Sequence, residues 1–170
     1  MVKTETEVKE ATARLQLSLD TFLPFQAPEE WEQLLTEFTK ELHEDHFLCM
    51  AIKRVLLSLY GARKGYRLEQ LPQHLLVRKI ELCRNYVSIF SRLEPGYRKW
   101  KGEVLEELVG ALTVSTNEDM ENNNISKIEY MMKIKEVIGM VKEAAKCRLF
   151  EQSKSGDNGL YMALAKSVNT

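Results

Sequence analysis

The stretch PQHLLVRKIELCRNYVSIFSRL, residues 72–93, decides the fold class. Its apolar side chains recur at alternating steps of four and three residues: Leu76, Ile80, Cys83, Val87 and Phe90. This spacing places them on one face of an α-helix, because one helical turn takes about 3.6 residues. Nowhere in the chain does strict apolar alternation stand between turn dipeptides, so no β-sheet is predicted. The sequence therefore predicts an all-α fold.

The same helical spacing runs through most of the chain. Helices are predicted over 4–21, from Pro28, from Glu44-Asp45 to Gly61, after Glu94-Pro95-Gly96, and from the Ser126-x-x-Glu129 capping box to 149. A short C-terminal helix is predicted to carry Leu160, Met162, Ala163 and Leu164. These six to seven helices predict an antiparallel helical array, either a bundle or a tetratricopeptide-like superhelix. A single domain covering 1–170 is expected, with an exposed, mobile loop at 115–124, where little can be buried.

The net charge of −1 conceals an uneven distribution. Residues 1–52 carry a net charge of −7, residues 53–101 carry +9 and residues 102–170 carry −3. The near-neutral total excludes a histone-like nucleic-acid binder and an acidic disordered tail. A content of 44% apolar residues is typical of a packed globular domain. Residues 53–101, called the basic middle below, are the feature that points to a partner.

Six cations of the basic middle are candidates for binding an acidic peptide or partner surface, since arginine and lysine hold carboxylates by charge-assisted hydrogen bonds. They are Arg63, Lys64, Arg78, Lys79, Arg98 and Lys101. The alternative is internal: half or more of the basic side chains face the acidic first and sixth helices. A third interpretation, nucleic-acid binding, rests on Tyr97-Arg98-Lys99-Trp100-Lys101, which interleaves aromatic and cationic side chains. Helical geometry favours instead a Trp100 that packs inward.

The sequence shows no motif for catalysis or for a cofactor. It has no Gly-x-Ser-x-Gly elbow, and Gly61-Ala-Arg-Lys-Gly65 lacks the strand and the spacing of a phosphate-binding loop. His43 and His46 are three residues apart, which differs from the His-Glu-x-x-His spacing of a metal site. A solvated helix start is the preferred interpretation. The sequence therefore predicts no enzyme, no cofactor and no metal site.

The cysteines and the N-terminus bear on location. Cys49, Cys83 and Cys147 are widely spaced among apolar neighbours, which predicts reduced core thiols. The N-terminal MVKTETEVKE lacks the apolar stretch of a signal peptide, and no long apolar run follows. A cytoplasmic or nuclear location without a membrane partner is expected. The methionines of the sixth helix are predicted to line either the core or a groove, and the core is the preferred interpretation.

Residues 43–112 contain a set of motifs in a moderately specific order. They are His43-x-x-His46-Phe47, Lys53, Tyr60-Gly61, Leu76-x-Arg78-Lys79-x-x-Leu82-Cys83, Pro95-Gly96-x-Arg98-x-x-Lys101-Gly102 and Glu107-Leu108. In this order they resemble the C-terminal helical domain of the SET-and-MYND lysine methyltransferase family, particularly its insect members. Val109 departs from the pattern, which has a histidine at that position.

The resemblance implies a tetratricopeptide-like array that packs beside a catalytic SET domain and helps to form its substrate cleft. In some members this array is thought to contact chaperone tails rich in acidic residues. Methyl transfer is not implied, because these 170 residues lack the Asn-His-Ser-Cys cofactor motif and the cysteine-rich zinc segments. The expected function is a non-catalytic protein-interaction module that binds an acidic peptide or partner. The alternatives are a fragment of a SET-domain methyltransferase whose catalytic part is missing, and a helical nucleic-acid binder.

Overall fold

The computed structural model describes residues 5–21 and 27–154. Within them the chain forms six α-helices and no β-strand, which confirms the all-α prediction. The helices are α1 (Glu5–Thr21), α2 (Pro28–Glu41), α3 (Phe47–Ala62), α4 (Gln73–Leu93), α5 (Lys99–Glu121) and α6 (Lys127–Lys154). The chain divides into two compact units, residues 1–71 and residues 72–170. The single domain and the tetratricopeptide-like arrangement stay predictions.

The first unit is built from α1, α2 and α3, with a 3-10 turn at Leu68–Gln70. α2 packs against α3 and buries an apolar stripe: Trp31, Leu34, Leu35 and Phe38. Two tyrosine hydroxyls join these helices: Tyr60 donates to Glu32 at 3.3 Å, and Tyr66 donates to Glu29 at 2.8 Å. The end of α3 therefore lies beside the start of α2, as in an antiparallel pair.

Gly61 ends the regular part of α3. Its φ of 110° lies in the left-handed region, which a glycine adopts without a steric penalty. The Gly61 N–H donates to the Tyr66 carbonyl at 2.6 Å and closes the polar turn that follows. This confirms the prediction that Gly61 terminates the third helix.

The second unit is built from α4, α5 and α6, which pack as successive antiparallel neighbours. The rings of Phe90 and Trp100 lie 5.1 Å apart, at the end of α4 and the start of α5. At the opposite end of α5, Asp119 accepts a hydrogen bond from Lys133 of α6 at 2.8 Å. The core between the helices is made of buried apolar side chains: Leu76, Leu82, Cys83, Val104, Leu108, Ala111, Val137 and Cys147.

The prediction of a mobile loop at 115–124 is wrong for most of that stretch, because α5 continues to Glu121. Thr116 is buried, the Tyr130 hydroxyl donates to Asn117 at 3.1 Å, and Asp119 pairs with Lys133. Asn117 and Asp119 therefore have hydrogen-bond partners on α6. These contacts stabilise the end of α5, where the sequence has few apolar side chains to bury. The chain leaves the helix only after Glu121, where Asn123 has a φ of 57°.

The Ser126–Glu129 capping box is confirmed at the start of α6. The Ser126 N–H donates to Glu129 Oε2 at 2.8 Å, and the Glu129 N–H donates to Ser126 Oγ at 3.2 Å. The hydrogen bond that the Ser126 backbone N–H donates to the carboxylate is the main cause that lowers the pKa of Glu129. The predicted C-terminal helix around Leu160–Leu164, like the predicted end of the first helix at Pro24, lies outside the described residues.

Candidate interaction surface

The first unit holds two of the six predicted partner-binding cations. Arg63 follows α3, and its backbone N–H donates to the Leu59 carbonyl. Lys64 is exposed in the turn beside it. These two side chains stay candidates for an acidic partner.

Lys79 and Lys101 in the second unit are placed differently from the prediction. The Lys79 side chain is 0% exposed, and its Nζ lies 2.5 Å from Glu107 Oε2 on α5. The Lys101 side chain is 14% exposed, and its Nζ lies 2.6 Å from Glu143 Oε1 on α6. Lys79 is therefore wrong as a partner-binding residue, because a completely buried ammonium group cannot reach a second molecule. Both lysines join neighbouring helices.

Arg78 and Arg98 remain at the surface, beside carboxylates of their own chain segment. Arg78 lies 3.7 Å from Glu81 and Arg98 lies 3.9 Å from Glu94. Arg84, another cation of the basic middle, lies 3.6 Å from Glu136 of α6. Pairing with the sixth helix, which the sequence left open, thus accounts for part of the positive charge in this unit.

The aromatic residues of the segment 97–101 are also engaged within the second unit. The Trp100 ring packs on Phe90 and on Tyr86, and its Nε1 donates to Glu94 at 3.2 Å. Trp100 is half-buried, so it packs against α4 as predicted but is not fully enclosed. A base-stacking platform needs a free aromatic face, and the contacts with Phe90 and Tyr86 occupy part of this ring.

The histidine pair forms the start of α3. His46 is the N-cap residue, and its Nδ1 accepts a hydrogen bond from the Leu48 N–H at 3.4 Å. His43 Nδ1 accepts from the Asp45 N–H at 3.2 Å. Burial lowers the pKa of His46, which favours the neutral ring that this cap requires. No group of three or more metal-type ligands occurs among the described residues.

The three cysteines are buried and carry free thiols, as predicted. Burial raises the pKa values of Cys49 and Cys147, which keeps these sulfurs in the unreactive thiol form. None of the three is exposed, whereas a reactive cysteine nucleophile is accessible to its substrate.

An exposed apolar surface of the second unit lies on the first half of α6. We call it the outer face of α6, and it is lined by Ile128, Met131, Met132, Ile134 and Ile138 with Lys127 and Lys135. Met131 is 61% exposed and Met132 is 67% exposed. The prediction that these methionines belong to the core is therefore wrong. The core-facing side of α6 is occupied by Val137, Ala144 and Cys147 instead.

Charge is segregated around α6. Glu129, Glu136 and Glu143 recur every seven residues on one side, where Glu136 lies near Arg84 and Glu143 lies near Lys101. Lys127 and Lys135 line the outer face, and Lys142 follows Lys135 by seven residues, which is a spacing of about two helical turns. None of these three lysines forms an ion pair with another described residue. The outer face thus combines apolar side chains with positive charge.

Comparisons of the chain with protein-family models, with curated proteins and with solved structures found no match. The resemblance to the SET-and-MYND family therefore stays a prediction. Among the described residues, no helix is both long enough and apolar enough to cross a membrane.

Proposed function

We propose that this chain is a non-catalytic protein-interaction module that binds an acidic amphipathic helix on the outer face of α6. The carrying observation is the exposure of Met131, Met132, Ile128 and Ile138 beside Lys127 and Lys135. The proposal retains the acidic partner that the sequence suggests and moves its main contact from the basic middle to α6.

The apolar part of the face supplies the affinity. A single exposed apolar residue is ordinary on a protein surface, but a contiguous apolar patch is typical of an interaction site. Ile128, Met131 and Ile138 follow one another by three and seven residues, so they form a stripe along the helix. A second amphipathic helix presents a matching stripe, and methionine adapts well to such a partner.

The lysines supply the selectivity. The charged residues that line the face are Lys127 and Lys135, whereas Glu136 and Glu143 of α6 lie near Arg84 and Lys101. Carboxylates on the flanks of the partner helix complement this charge and suppress cationic competitors. Because the lysines are solvent-exposed, the electrostatic part of binding weakens with salt.

Fluorescence anisotropy with the full chain tests the proposal. The probe is a labelled amphipathic peptide with leucine at i, i+3, i+4 and i+7 and glutamate at the flanking positions. The comparison peptide has lysine in place of each glutamate. We expect the glutamate peptide to bind at least about tenfold more tightly at low salt, and this preference to shrink as salt rises.

Two substitutions of matched exposure provide the control. Met132→Asp removes a side chain that is 67% exposed on the outer face, and we expect about a tenfold loss of affinity. Leu93→Asp changes a side chain that is 69% exposed at the end of α4, and we expect no loss. Equal affinity for the two peptides, or equal binding by the two variants, contradicts the proposal. Binding to phosphatidylserine vesicles that Met132→Asp abolishes, without binding to the glutamate peptide, assigns the face to a membrane surface instead.

A further inference from the structure

Exposed sulfur is concentrated on the outer face of α6. Of the methionines that the structure describes, only Met131 and Met132 are exposed, at 61% and 67%. Met50 is 4% exposed in the core of the first unit, and Met120 and Met140 are half-buried. The most accessible thioethers of the described residues therefore lie side by side on a surface that also carries Ile128 and Ile138.

The thiols, which compete with methionine for oxidants, are shielded. Peroxides react most readily with exposed thiolates, and Cys49, Cys83 and Cys147 are all buried. Burial also raises the pKa values of Cys49 and Cys147, so both sulfurs stay in the thiol form. Among the described sulfur atoms, an oxidant therefore reaches those of Met131 and Met132 first.

The lysines beside Met131 complement an oxidised sulfur. Lys127 lies four residues before Met131 and Lys135 lies four residues after it, and residues at this spacing are neighbours on one side of a helix. Both lysines line the outer face, and neither lies within ion-pair distance of a described carboxylate. An ammonium group donates hydrogen bonds, and a sulfoxide oxygen accepts them. A sulfoxide at position 131 therefore competes for the same cations that a partner carboxylate uses.

We propose that oxidation of Met131 and Met132 to methionine sulfoxide switches off binding at the outer face of α6. This regulation rests on the proposed function, because it acts on the surface that holds the amphipathic helix. The oxidant is a hydroperoxide such as hydrogen peroxide. Its O–O bond breaks, one oxygen atom forms the S=O bond, and the other leaves as water. Each sulfur is oxidised by two electrons, and each peroxide is reduced by two.

Oxidation lowers the affinity of this face and leaves the fold intact. A sulfoxide is polar, so covering it with an apolar partner side chain removes its hydration at a cost in free energy. Exposed side chains contribute little to the core, so a change at Met131 or Met132 has a small effect on stability. Methionine sulfoxide reductases reverse the step, which makes it a switch.

Peptide mapping of the full chain tests the selectivity of oxidation. The chain is treated with hydrogen peroxide at neutral pH for increasing times, digested with trypsin and analysed by mass spectrometry. Trypsin places Met131 and Met132 in one peptide and Met50 and Met140 in two others, so each rate is measured separately from the internal references. We expect Met131 and Met132 to be oxidised at least about tenfold faster than Met50, with Met140 between them. Equal rates at the four positions overturn the proposal.

Fluorescence anisotropy with the glutamate peptide measures the switch itself. We expect peroxide treatment to weaken binding at least about tenfold, and the A and B methionine sulfoxide reductases with dithiothreitol to restore it. The test variant Met131→Leu/Met132→Leu keeps apolar side chains on the face without an oxidisable sulfur. Whatever its starting affinity, we expect peroxide to leave that affinity unchanged. The matched control Met140→Leu, which alters a half-buried methionine, is expected to respond to peroxide as the unaltered chain does.

The outcomes separate the switch from the proposed function. Absence of peptide binding before oxidation contradicts the proposed function and the switch together. Binding that survives oxidation of Met131 and Met132 contradicts the switch alone, and so does an equal loss of affinity in the Met131→Leu/Met132→Leu variant. A loss of helical circular dichroism on oxidation assigns the weaker binding to unfolding and overturns the switch as well.

Discussion

Removing Glu107 is expected to destabilise this protein more than removing the ammonium group of Lys79. The Lys79 side chain is fully buried, and its Nζ lies 2.5 Å from a carboxylate that is 42% exposed. Glu107→Ala leaves a buried charge without this partner, which costs about 3–5 kcal/mol when both ions are buried. Water reaches the half-exposed site of Glu107, so we expect about 2–3 kcal/mol here.

Replacing Lys79 is expected to lower the free energy of unfolding by less than replacing Glu107. Lys79→Met keeps the long apolar stem and its volume and removes only the charge. The remaining Glu107 carboxylate is hydrated, because it faces solvent in part. We expect Lys79→Met to cost less than about 1 kcal/mol, since the gain from no longer burying an ion offsets the lost pair.

Urea unfolding of the full chain, followed by far-UV circular dichroism, measures both variants against a control. The control is Glu136→Ala, because Glu136 and Arg84 are 3.6 Å apart and both about half exposed. We expect that variant to lose at most about 0.5 kcal/mol. A larger loss for Lys79→Met than for Glu107→Ala refutes the reasoning. So does a loss for Glu107→Ala no greater than that for the control.

Two further predictions concern helix starts and helix contacts. The His46 cap needs a neutral ring, and burial lowers the pKa of His46 below the unfolded value of about 6.5. The stabilisation by this cap is therefore fully present above pH ~6.5 and is lost as the pH falls through the lower folded pKa. We expect His46→Asn, which caps without titrating there, to flatten the dependence of Tm on pH between about 7.5 and 5; an unchanged slope contradicts this assignment. Gly102→Ala places a Cβ 2.9 Å from Cys147 Cβ and is expected to cost about 1–3 kcal/mol by thermal unfolding. The control is Gly139→Ala in α6, where an added Cβ meets nothing within 4 Å, and it is expected to stabilise the protein by about 0.5–1 kcal/mol. If both variants change the stability by a similar amount, the close approach at Gly102 is contradicted.

Much of the fold was predictable because its determinants are local. α4 follows from a repeat of steps of four and three residues, and its bounds lie between Pro72 and Pro95. Gly61 and the Ser126–Glu129 capping box fix helix ends by backbone geometry and by hydrogen bonds across three residues. Each of these signals consists of residues that are near one another in the sequence, so it can be recognised without knowledge of the packing.

The end of α5 was not predictable in the same way. The low-complexity residues 115–121 have almost no apolar pattern, and their helix is supported by contacts with a helix that follows later in the chain. Asn117 and Asp119 bond to Tyr130 and Lys133, which lie 13 and 14 residues further on. A local pattern gives no sign of those partners, so the composition favoured a loop.

The placement of Lys79 and Lys101 was not predictable from the sequence for a related reason. Charge counting located the basic middle correctly, but it could not say which cations have carboxylates beside them. Lys79 and Lys101 reach Glu107 and Glu143 on neighbouring helices, and these pairings appear only when the helices are packed. The available signal was in α6, where Ile128, Met131 and Ile138 form an apolar stripe in addition to the one that contacts α5.

Two apolar sides on α6 carry a physical consequence for function. A helix at the edge of a packed unit needs one apolar side for its own core, and here Val137 and Cys147 supply it. The acidic residues Glu136 and Glu143 lie near cations of α4 and α5, so the basic middle is partly neutralised inside the unit. The outer side keeps apolar surface with Lys127 and Lys135, neither of which lies within ion-pair distance of a described carboxylate. The local charge of this face therefore differs from the net charge of −1 that the whole chain carries.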